Sequence, residues 1–550
     1  MENLYKKYCT EEFDEQGILT KFDVHYDDNF NFAYDVIDEI AKNEPNRRAM
    51  VWTDESGDEK VFTFGDMSRY SNKTANFFVK NGVKKGDKVL LLLKRHYEFW
   101  FCILALHKIG AIAIPATIQL TTKDIVYRAK SANIKAIICT ATCDKLSDFV
   151  DIAQTKCDEI KIKVLVRAHK DGWLNFADGI ENESDEFKRV ETHATDDMLM
   201  FFTSGTTGNP KMVMHDYTYP LGHIVTAKYW HTCDPNGLHL TVADTGWAKA
   251  SWGKIYGQWF MGAGLFTYDF DKFKPLDLLA HIEKYKISTF CAPPTVFRFF
   301  IKEGMSTYDL SSLQHVTTAG EALNNEVYNK FKEVTGLDIM EGFGQSETSM
   351  LIGNLVGTSP RSGSMGKPSP LFDIDIVDEF GASVEDGIVG EIVVRPPQNK
   401  KQVGLFTQYY KDEEKTKDCW RFGVYHTGDT AYKDEDGYLW YVGRNDDIIK
   451  ASGYRIGPFE VESVLMEHPA VLECAVTGAP DPIRGQVVKA TIVLTSQYSP
   501  SDELKKDIQN FVKKTTAPYK YPRIVEFVTE LPKTVTGKIK RIDIRNQDKN

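Results

Sequence analysis

The chain has 550 residues, more than one hydrophobic core accommodates, so we expect two or more domains. Hydrophobic residues make up 42% and charged residues 26%, as in ordinary soluble globular proteins. The formal net charge of −11 leaves no basic surplus to neutralise phosphates, which argues against a general nucleic-acid binder.

The compartment is predicted from the termini, the apolar runs and the cysteines. Residues 1–7 lack the apolar core of a signal peptide. The longest apolar run, residues 99–106, is far shorter than the roughly 18 residues needed to span a bilayer. The closest cysteines are Cys139 and Cys143, and no second pair completes a metal-ligand spacing. We therefore expect a cytoplasmic protein with free thiols and no stable membrane insertion.

The first half of the chain alternates between strand and helix patterns. Residues 1 to about 35 are polar without a clear period, and we expect them to wrap the surface. Apolar strands linked by helices then predict a parallel sheet covered on both faces, an α/β fold. The predicted strands are 89–92, 111–115, 136–139, 198–202, 239–243, 287–292 and 315–318, with helices at 97–108 and 122–130.

Beyond Leu371 the pattern changes. Residues 372–377 and 390–394 alternate in polarity, which predicts a small antiparallel sheet or barrel. A polar break around Asp446 separates this part from a short α+β unit. We predict a large domain of residues 1–445 and a mobile small domain of residues 446–550, joined by a thin hinge at Asp446. The small unit's predicted helices are 458–467 and 501–514, and its strands are 471–478, 486–494 and 523–528.

A glycine- and threonine-rich loop follows the predicted strand 198–202. Its glycines allow close approach of the backbone to a ligand, and its hydroxyls and N–H groups can donate to phosphate oxygens. The spacing differs from that of the Walker A loop. The alternative is an ordinary polar loop between a strand and a helix. The residues concerned are Thr203, Ser204, Gly205, Thr206, Thr207, Gly208 and Lys211.

This loop closely resembles the phosphate loop of the acyl-adenylate-forming enzymes, which include acyl-CoA synthetases, luciferases and peptide-synthetase adenylation domains. Further motifs follow in the family's order, so the resemblance extends from about Phe62 to Lys540. The runs 517–523 and 531–538 are most similar to the medium-chain branch of acyl-CoA synthetases. The resemblance implies two half-reactions that use ATP, Mg²⁺, CoA and a small carboxylic acid.

The resemblance assigns nucleotide contacts to three further segments. The segment 341–346 follows a strand and holds the nucleotide and the acyl carboxylate in relatives; Glu347 matches the residue used for Mg²⁺. Asp429 matches the acceptor for the ribose diol, and Arg444 a partner of hydroxyl or phosphate. The alternatives are a glycine-rich loop with a solvated acid, a turn acid and a surface arginine. The remaining predicted nucleotide residues are Gly320, Glu321, Ala322, Glu341, Gly342, Phe343, Gly344, Gln345 and Ser346.

The small domain is predicted to serve both half-reactions. Lys538 matches the adenylation lysine of the family, although a lysine near a C-terminus is more commonly a solvated surface group. With Thr206 and Glu347 it forms the predicted catalytic set. After domain rotation, a loop containing Gly453 enters the active site beside the pantetheine tunnel in relatives. The predicted CoA-binding residues are Gln119, Ser452, Gly453, Tyr454, Arg455, Arg484 and Arg523.

The acyl pocket is predicted from the same resemblance. Acetate-specific relatives carry a tryptophan where this chain has Gly344, so we expect the pocket to extend beyond acetate. Bulky rings in the lining segments limit its depth, which favours a short- to medium-chain acid, including branched or aromatic acids. The alternative is that these tryptophans are ordinary core residues. The predicted lining is Trp230, Trp247, Lys249, Trp252, Cys291 and Gly344.

Three other functions remain open from the sequence. An adenylating enzyme that delivers to a carrier protein would share the same motifs. A non-catalytic nucleotide-binding homologue would retain the fold, but the motifs containing Glu347, Asp429 and Lys538 argue against it. A luciferase-like oxygenase has no specific support. A homodimer is left open.

Overall fold

The structure is a computed structural model that describes residues 4–203, 210–321, 323–398, 400–451, 454–482, 484–533 and 539–547. Within these ranges the chain forms several β-sheets with helices between their strands, which confirms the predicted α/β fold class. The first strands are β1 (Cys9–Phe13), β2 (Leu19–Val24), β3 (Arg48–Asp54), β4 (Glu59–Thr63), β5 (Lys88–Leu92), β6 (Ile112–Pro115), β7 (Ile134–Thr140), β8 (Ile162–Val166), β9 (Leu174–Asn175), β10 (Asp197–Thr203), β11 (Lys211–Asp216), β12 (Leu238–Thr241), β13 (Gly264–Asp269), β14 (Thr289–Cys291), β15 (His315–Thr318) and β16 (Ile339–Phe343).

The later strands are more often antiparallel. They are β17 (Ile352–Gly353), β18 (Lys367–Pro368), β19 (Asp373–Val377), β20 (Gly390–Arg395), β21 (Gln408–Tyr409), β22 (Tyr425–Lys433), β23 (Leu439–Arg444), β24 (Ile449–Ala451), β25 (Tyr454–Ile456), β26 (Val471–Asp481), β27 (Gly485–Leu494) and β28 (Ile524–Val528).

The helices between these strands cover the sheets. They are α1 (Glu39–Asn43), α2 (Phe64–Lys80), α3 (Glu98–Ile109), α4 (Thr122–Ala132), α5 (Leu146–Gln154), α6 (Phe176–Glu181), α7 (Tyr219–Val225), α8 (Lys249–Gly253), α9 (Gly257–Phe260), α10 (Pro275–Tyr285), α11 (Pro294–Glu303), α12 (Asn325–Thr335), α13 (Glu413–Cys419), α14 (Pro458–Met466), α15 (Asp502–Thr515) and α16 (Arg541–Gln547). A π-helical segment, Thr226–Trp230, continues α7.

The predicted parallel strands belong to two sheets rather than one. The first sheet has the order β21-β11-β10-β6-β5-β7-β8-β9, and the second has the order β18-β17-β16-β15-β14-β12-β13-β3-β4. Strands β10, β6, β5, β7, β8 and β9 run parallel in the first sheet, and β16, β15, β14, β12, β13 and β3 run parallel in the second. A buried apolar strand has the same sequence signature in either sheet, so the pattern alone did not separate them.

The glycine-rich loop joins two antiparallel strands. Thr203 at the end of β10 pairs with Lys211 at the start of β11. The alternative of a loop between a strand and a helix is therefore wrong. Residues 204–209 lie outside the described part of the chain.

The amino-terminal segment is more structured than its composition predicted. Strands β1 and β2 form an antiparallel hairpin, and several nearby side chains enter the main core. Leu4, Phe22, Phe30 and Phe32 are each at most 3% exposed. The expectation that this segment only wraps the surface is wrong, because its few apolar residues are spaced to reach the core.

The carboxyl-terminal elements follow the sequence closely. The four-stranded sheet β19-β20-β22-β23 is antiparallel, as the alternating pattern predicted. The small unit has a five-stranded sheet and its own buried cluster, which runs from Ile449 to Val525. Asp446 lies in the turn between β23 and β24. The boundary and the hinge at Asp446 remain predictions.

Candidate functional site

The candidate site lies where parallel strands of the second large sheet end. Strands β14, β15 and β16 run in parallel register, so their carboxyl ends meet along one edge. Ligands of open α/β sheets bind at such edges. The predicted nucleotide segments 319–322 and 341–347 follow or complete two of these neighbouring strands.

Gln345 connects the end of β16 to the antiparallel sheet. Its side-chain amide donates to the Thr427 carbonyl at 2.8 Å and also to the Asp429 carboxylate. The Tyr425 hydroxyl donates to Gln345 Oε1 at 2.8 Å. These contacts fix the orientation of the Gln345 side chain and join segments more than 80 residues apart.

Asp429 and Arg444 are directly opposite each other on β22 and β23. The Arg444 guanidinium is 3.4 Å from the Asp429 carboxylate, which is only 6% exposed, and the Tyr441 hydroxyl donates to that carboxylate at 3.1 Å. Burial lowers the pKa of Arg444, but the nearby Asp429 and Asp446 carboxylates raise it more, so it lies above its ordinary value. The arginine therefore keeps its charge beside the buried carboxylate.

Gly428 makes room for this pair. Its φ is +73°, and a Cβ atom there would lie 3.0 Å from the Arg444 guanidinium. Glycine thus favours both the left-handed backbone and the close approach of the arginine.

Glu347 lies beside Tyr409, a residue that sequence reasoning missed. The Tyr409 hydroxyl donates to Glu347 Oε1 at 2.9 Å, and the Lys211 ammonium is 4.8 Å from the centre of the Tyr409 ring. Burial and the neighbouring Glu347 raise the pKa of Tyr409, so its hydroxyl stays protonated. The tyrosine thus lies between the predicted metal ligand and Lys211, the cation at the end of the predicted phosphate loop. No motif marked it, because its strand pairs with β11 only in the folded chain.

The predicted adenine segment is held from two sides. The Lys249 ammonium donates to the Ala319 carbonyl at 2.6 Å, and Thr295 donates to the Glu321 carboxylate at 3.0 Å. Gly320 has a φ of +101°, which only glycine adopts readily. Ala322 lies outside the described residues.

Glu341 turns its side chain into the protein. The Leu323 N–H donates to Glu341 Oε1 at 3.1 Å, and the residue is 5% exposed. Burial raises the pKa of this carboxyl group to about 8. Its side chain therefore anchors the chain just beyond the predicted adenine segment.

Two tryptophans occupy the space beside the two glycines of the segment 341–346. A Cβ atom on Gly342 would lie 2.6 Å from the Trp230 ring, and one on Gly344 would lie 2.4 Å from the Trp252 ring. The two indoles meet edge to face, with centroids 6.0 Å apart. The space that Gly344 leaves is therefore filled by a ring from another element.

The other predicted pocket residues lie on neighbouring elements, and Cys291 shares a buried core cluster with both tryptophans. Cys291 is buried at the end of β14, and Lys249 begins the helix that carries Trp252. Trp247 stands just before that helix, next to Gly246. A Cβ atom on Gly246 would meet the backbone of Ala116 at 2.3 Å, so this loop packs on the chain that leads to Gln119.

The predicted CoA residues lie on both units of the chain. Gln119 is exposed after β6 in the large unit. On the small unit, the exposed rings of Tyr454 and Tyr519 stack with centroids 4.1 Å apart, and Arg484 and Arg523 are exposed. Ser452, Gly453 and the side chain of Arg455 lie outside the described residues.

The predicted hinge is bound from both sides. Arg444 approaches the Asp446 carboxylate at 3.7 Å, and Arg545 donates to the Asp446 carbonyl at 3.0 Å. Arg545 also pairs with Asp447 at 2.6 Å. The remaining predicted residues, Ser204, Gly205, Thr206, Thr207, Gly208 and Lys538, lie outside the described part of the chain.

Two family models match the chain. The model described as AMP-binding enzyme matches residues 37–410, and the model described as AMP-binding enzyme C-terminal domain matches residues 460–538. The first alone covers more than half of the chain.

Curated relatives match over almost the whole length. The mitochondrial acyl-coenzyme A synthetase ACSM3 of Mus musculus is 42% identical over 562 aligned residues, which cover 100% of this chain and 96% of that protein. The corresponding protein of Homo sapiens is 43% identical over 94% of this chain and 90% of its own length.

Solved structures of CoA ligases are also similar to this chain. The anthranilate CoA ligase AuaEII superposes with a TM-score of 0.86 at 29% identity, covering 95% of this chain and 98% of its own. A benzoate CoA ligase from Burkholderia xenovorans LB400 gives a TM-score of 0.80 at 25% identity, covering 94% and 100%. Among the helices that the structure describes, none has both the length and the apolar composition to cross a membrane.

The matching family models and curated relatives show that the chain belongs to the AMP-binding enzyme family, among its acyl-coenzyme A synthetases.

Proposed function

We propose that the protein activates a short- to medium-chain carboxylic acid in two steps. In the first, the acid's carboxylate attacks the α-phosphorus of ATP, giving an acyl-AMP and pyrophosphate. In the second, the thiol of CoA attacks the acyl carbonyl, loses its proton, and displaces AMP to give acyl-CoA. Both steps conserve all atoms and require no oxidant or reductant.

One observation carries this proposal. Gln345 is 84 residues from Asp429 in the chain and still farther from Arg444, yet the three form one connected network at the carboxyl edge of the sheet. Glu347 lies two residues from Gln345 in the same loop. The residues that we propose for the ribose, for negative charge and for the metal thus lie at the edge where ligands of α/β folds commonly bind, which supports the proposal.

In the first step the protein acts by alignment and charge neutralisation rather than as a base. Asp429, held by Tyr441 and Gln345, would accept hydrogen bonds from the ribose hydroxyls. Lys211, Lys538 and the N–H groups of residues 203–208 would offset the charge that develops as pyrophosphate leaves. Thr206 would contribute its hydroxyl to the same phosphates.

The residues present fit a magnesium ion carried with ATP. Glu347 offers a hard carboxylate oxygen, and its hydrogen bond from Tyr409 uses only one of about four lone-pair positions. The ion would neutralise charge on the phosphates. Tyr409 would hold the carboxylate in position for it.

For the second step we propose that the small unit, residues 446–550, rotates about Asp446. The rotation would withdraw Lys538 and bring the loop containing Gly453 to the acyl-AMP. The exposed Arg484 and Arg523, with the stacked tyrosines Tyr454 and Tyr519, offer cations and a flat apolar face to the nucleotide part of CoA. Gln119 would contact CoA from the large unit.

The contact between Gly344 and Trp252 supports a limit on acid size. Gly344 removes one obstruction, but the Trp252 indole occupies the adjacent space and Trp230 closes the side at Gly342. A pocket bounded by two fixed rings favours short and branched acids over long straight chains. Because one methylene changes discrimination by only about 1–3 kcal/mol, we expect several acids to be accepted.

The test is a mass-spectrometric assay for acyl-CoA. Purified protein receives ATP, Mg²⁺, CoA and a panel of acids: acetate to decanoate, branched short acids and benzoates. We expect thioesters of acids with about three to six carbons to dominate. Acyl-AMP that accumulates without any thioester would redirect the proposal to a carrier-protein acceptor, and the absence of both products would refute it. Acetate as the best substrate, with longer acids inactive, would refute the open pocket.

Expectations about partners, oligomeric state and location accompany this proposal. The partner is a small carboxylic acid, and a homodimer stays open. The cytoplasmic location also stays a prediction; the curated relatives carry the word mitochondrial in their names. Cell fractionation with an antibody against the protein would decide the compartment.

A further inference from the structure

Two residues of the amino-terminal segment, Tyr5 and, in the hairpin β1–β2, Glu11, contact the side chain of Lys228. The Lys228 ammonium contacts the Tyr5 hydroxyl and lies 3.3 and 3.4 Å from the two oxygens of the Glu11 carboxylate. It also lies 3.9 Å from the centre of the Tyr5 ring. The Lys228 side chain is 26% exposed and that of Glu11 is 12% exposed, so water screens this pair only partly.

Lys228 belongs to the element that carries Trp230. Both lie in the π-helical segment Thr226–Trp230, and such segments are rare and often found at functional sites. Tyr229, which follows Lys228, packs its ring near the Phe13 ring of the hairpin, with ring centroids 6.1 Å apart. The hairpin therefore touches this segment at two successive residues.

Trp230 connects the segment Thr226–Trp230 to the end of strand β16 in the candidate site. Its indole N–H lies 3.2 Å from the carbonyls of both Met340 and Glu341, and its ring lies against Gly342. The His315 ring donates to the Trp230 carbonyl at 2.7 Å. The indole position thus depends on the segment 226–230 from one side and on the end of β16 from the other.

We propose that Lys228 is a positioning residue for the acyl pocket, held by Glu11 and Tyr5 of the amino-terminal segment so that the Trp230 indole stays against Gly342. This inference rests on the proposed function, which assigns Trp230 to that pocket. The hairpin would affect binding of the acid more than binding of the nucleotide. Among the predicted nucleotide residues, Trp230 touches Glu341 and Gly342, whereas Asp429, Arg444 and Glu347 make none of these contacts among the described residues.

The hairpin provides a matched pair of substitutions. Glu11 and Glu12 are neighbours on β1, and the alternation of a strand turns them to opposite faces. Glu11 faces Lys228, whereas Glu12 pairs with Lys21 at 2.8 Å, with both side chains more than half exposed. Glu11→Gln and Glu12→Gln thus remove the same charge from adjacent residues, and only the first touches Lys228.

The test measures KM for butyrate and KM for ATP separately in full-length variants. We expect Glu11→Gln to raise KM for butyrate about tenfold, as for the loss of one charge-assisted hydrogen bond, with KM for ATP within twofold of wild type. Glu12→Gln should change neither constant. Lys228→Met should match or exceed Glu11→Gln, and Lys228→Arg should restore most of the affinity. Equal changes in both constants, or no change in either, would overturn the inference.

A second readout does not depend on activity. Hydrogen–deuterium exchange of the peptide containing residues 226–230 should rise in Glu11→Gln and stay at the wild-type level in Glu12→Gln. If wild type makes no acyl-CoA, the proposed function fails, and this exchange still decides whether the hairpin holds the segment. Unchanged exchange in Glu11→Gln would overturn the inference whatever the activity.

Discussion

Replacing Gly344 with alanine tests the geometry of the acyl pocket most directly. The new Cβ atom would lie 2.4 and 2.6 Å from two carbons of the Trp252 ring and 2.7 Å from the Ser349 carbonyl oxygen. Gly344 does not have a positive φ, so the backbone itself accepts alanine. Any effect therefore comes from the lost space.

The size of the effect follows from these distances. The new Cβ atom clashes with two groups. The backbone oxygen of Ser349 cannot move aside cheaply, and the Trp252 indole must shift by roughly 1 Å to reach ordinary contact distance from the Cβ atom. Trp252 is 5% exposed and packs against Trp230 and His223, which leaves it little room. Overpacking of this kind costs about 1–3 kcal/mol, and a shift of about 1 Å beside a reacting group can cost about 100-fold in rate.

The assay compares kcat/KM for propionate and butyrate with the free energy of unfolding in urea. We expect Gly344→Ala to lower kcat/KM by about 10- to 100-fold, more for butyrate than for propionate. Gly344→Ala combined with Trp252→Leu should recover part of the loss, because the ring that clashes is gone while the Ser349 carbonyl oxygen remains. Gly478→Ala is the control, since its Cβ meets only the end of the flexible Gln486 side chain. Wild-type kcat/KM and stability in Gly344→Ala would refute the reasoning.

Three further predictions address other parts of the molecule. Lys538→Gln should slow acyl-AMP formation by about 10²–10³-fold but spare thioester formation from supplied acyl-AMP and CoA; separate assays of the two half-reactions decide this. Asp429→Asn should raise KM for ATP about tenfold, because it weakens both the ion pair with Arg444 and the ribose contact. If the substitution raised KM for ATP and KM for its 2′,3′-dideoxy analogue by the same factor, the ribose role would be contradicted. Lys254 is 2% exposed, and burial lowers its pKa to about 7, so the unfolded chain keeps this proton up to about pH 10.4 while the folded chain releases it. The unfolding free energy of wild type minus that of Lys254→Met, both from urea titrations, should therefore rise between pH 7 and 10 by up to about 1.4 kcal/mol per pH unit, and Lys254→Met should be the more stable protein at pH 7.

Much of the fold could be predicted where the signal is local. Strand β15 lies at the predicted residues, and helix α14 and strand β27 differ from their predictions by one residue. Apolar runs, caps and turn residues act within a few positions of the chain, so a sequence pattern contains them. The hairpin β1–β2 escaped prediction because its apolar residues are few and only the main core accounts for their burial.

The site was predictable only in part. Gly344, Gln345, Asp429 and Arg444 stand in motifs, and the structure brings the last three together. Tyr409 stands in no motif, and its contact with Glu347 depends on strand β21 pairing with β11 some 195 residues earlier. Nothing near it in the chain records that pairing.

The sequence by itself determined the α/β class, the order of the elements, the motifs and the family resemblance, because each depends on residue type and spacing along the chain. Only the tertiary structure decided that Trp252 fills the space beside Gly344, that Glu341 turns into the protein and that the hairpin holds Lys228. These are contacts between distant segments. Their distances are set by how sheets and helices pack, and close packing leaves no record of a neighbour in the local sequence.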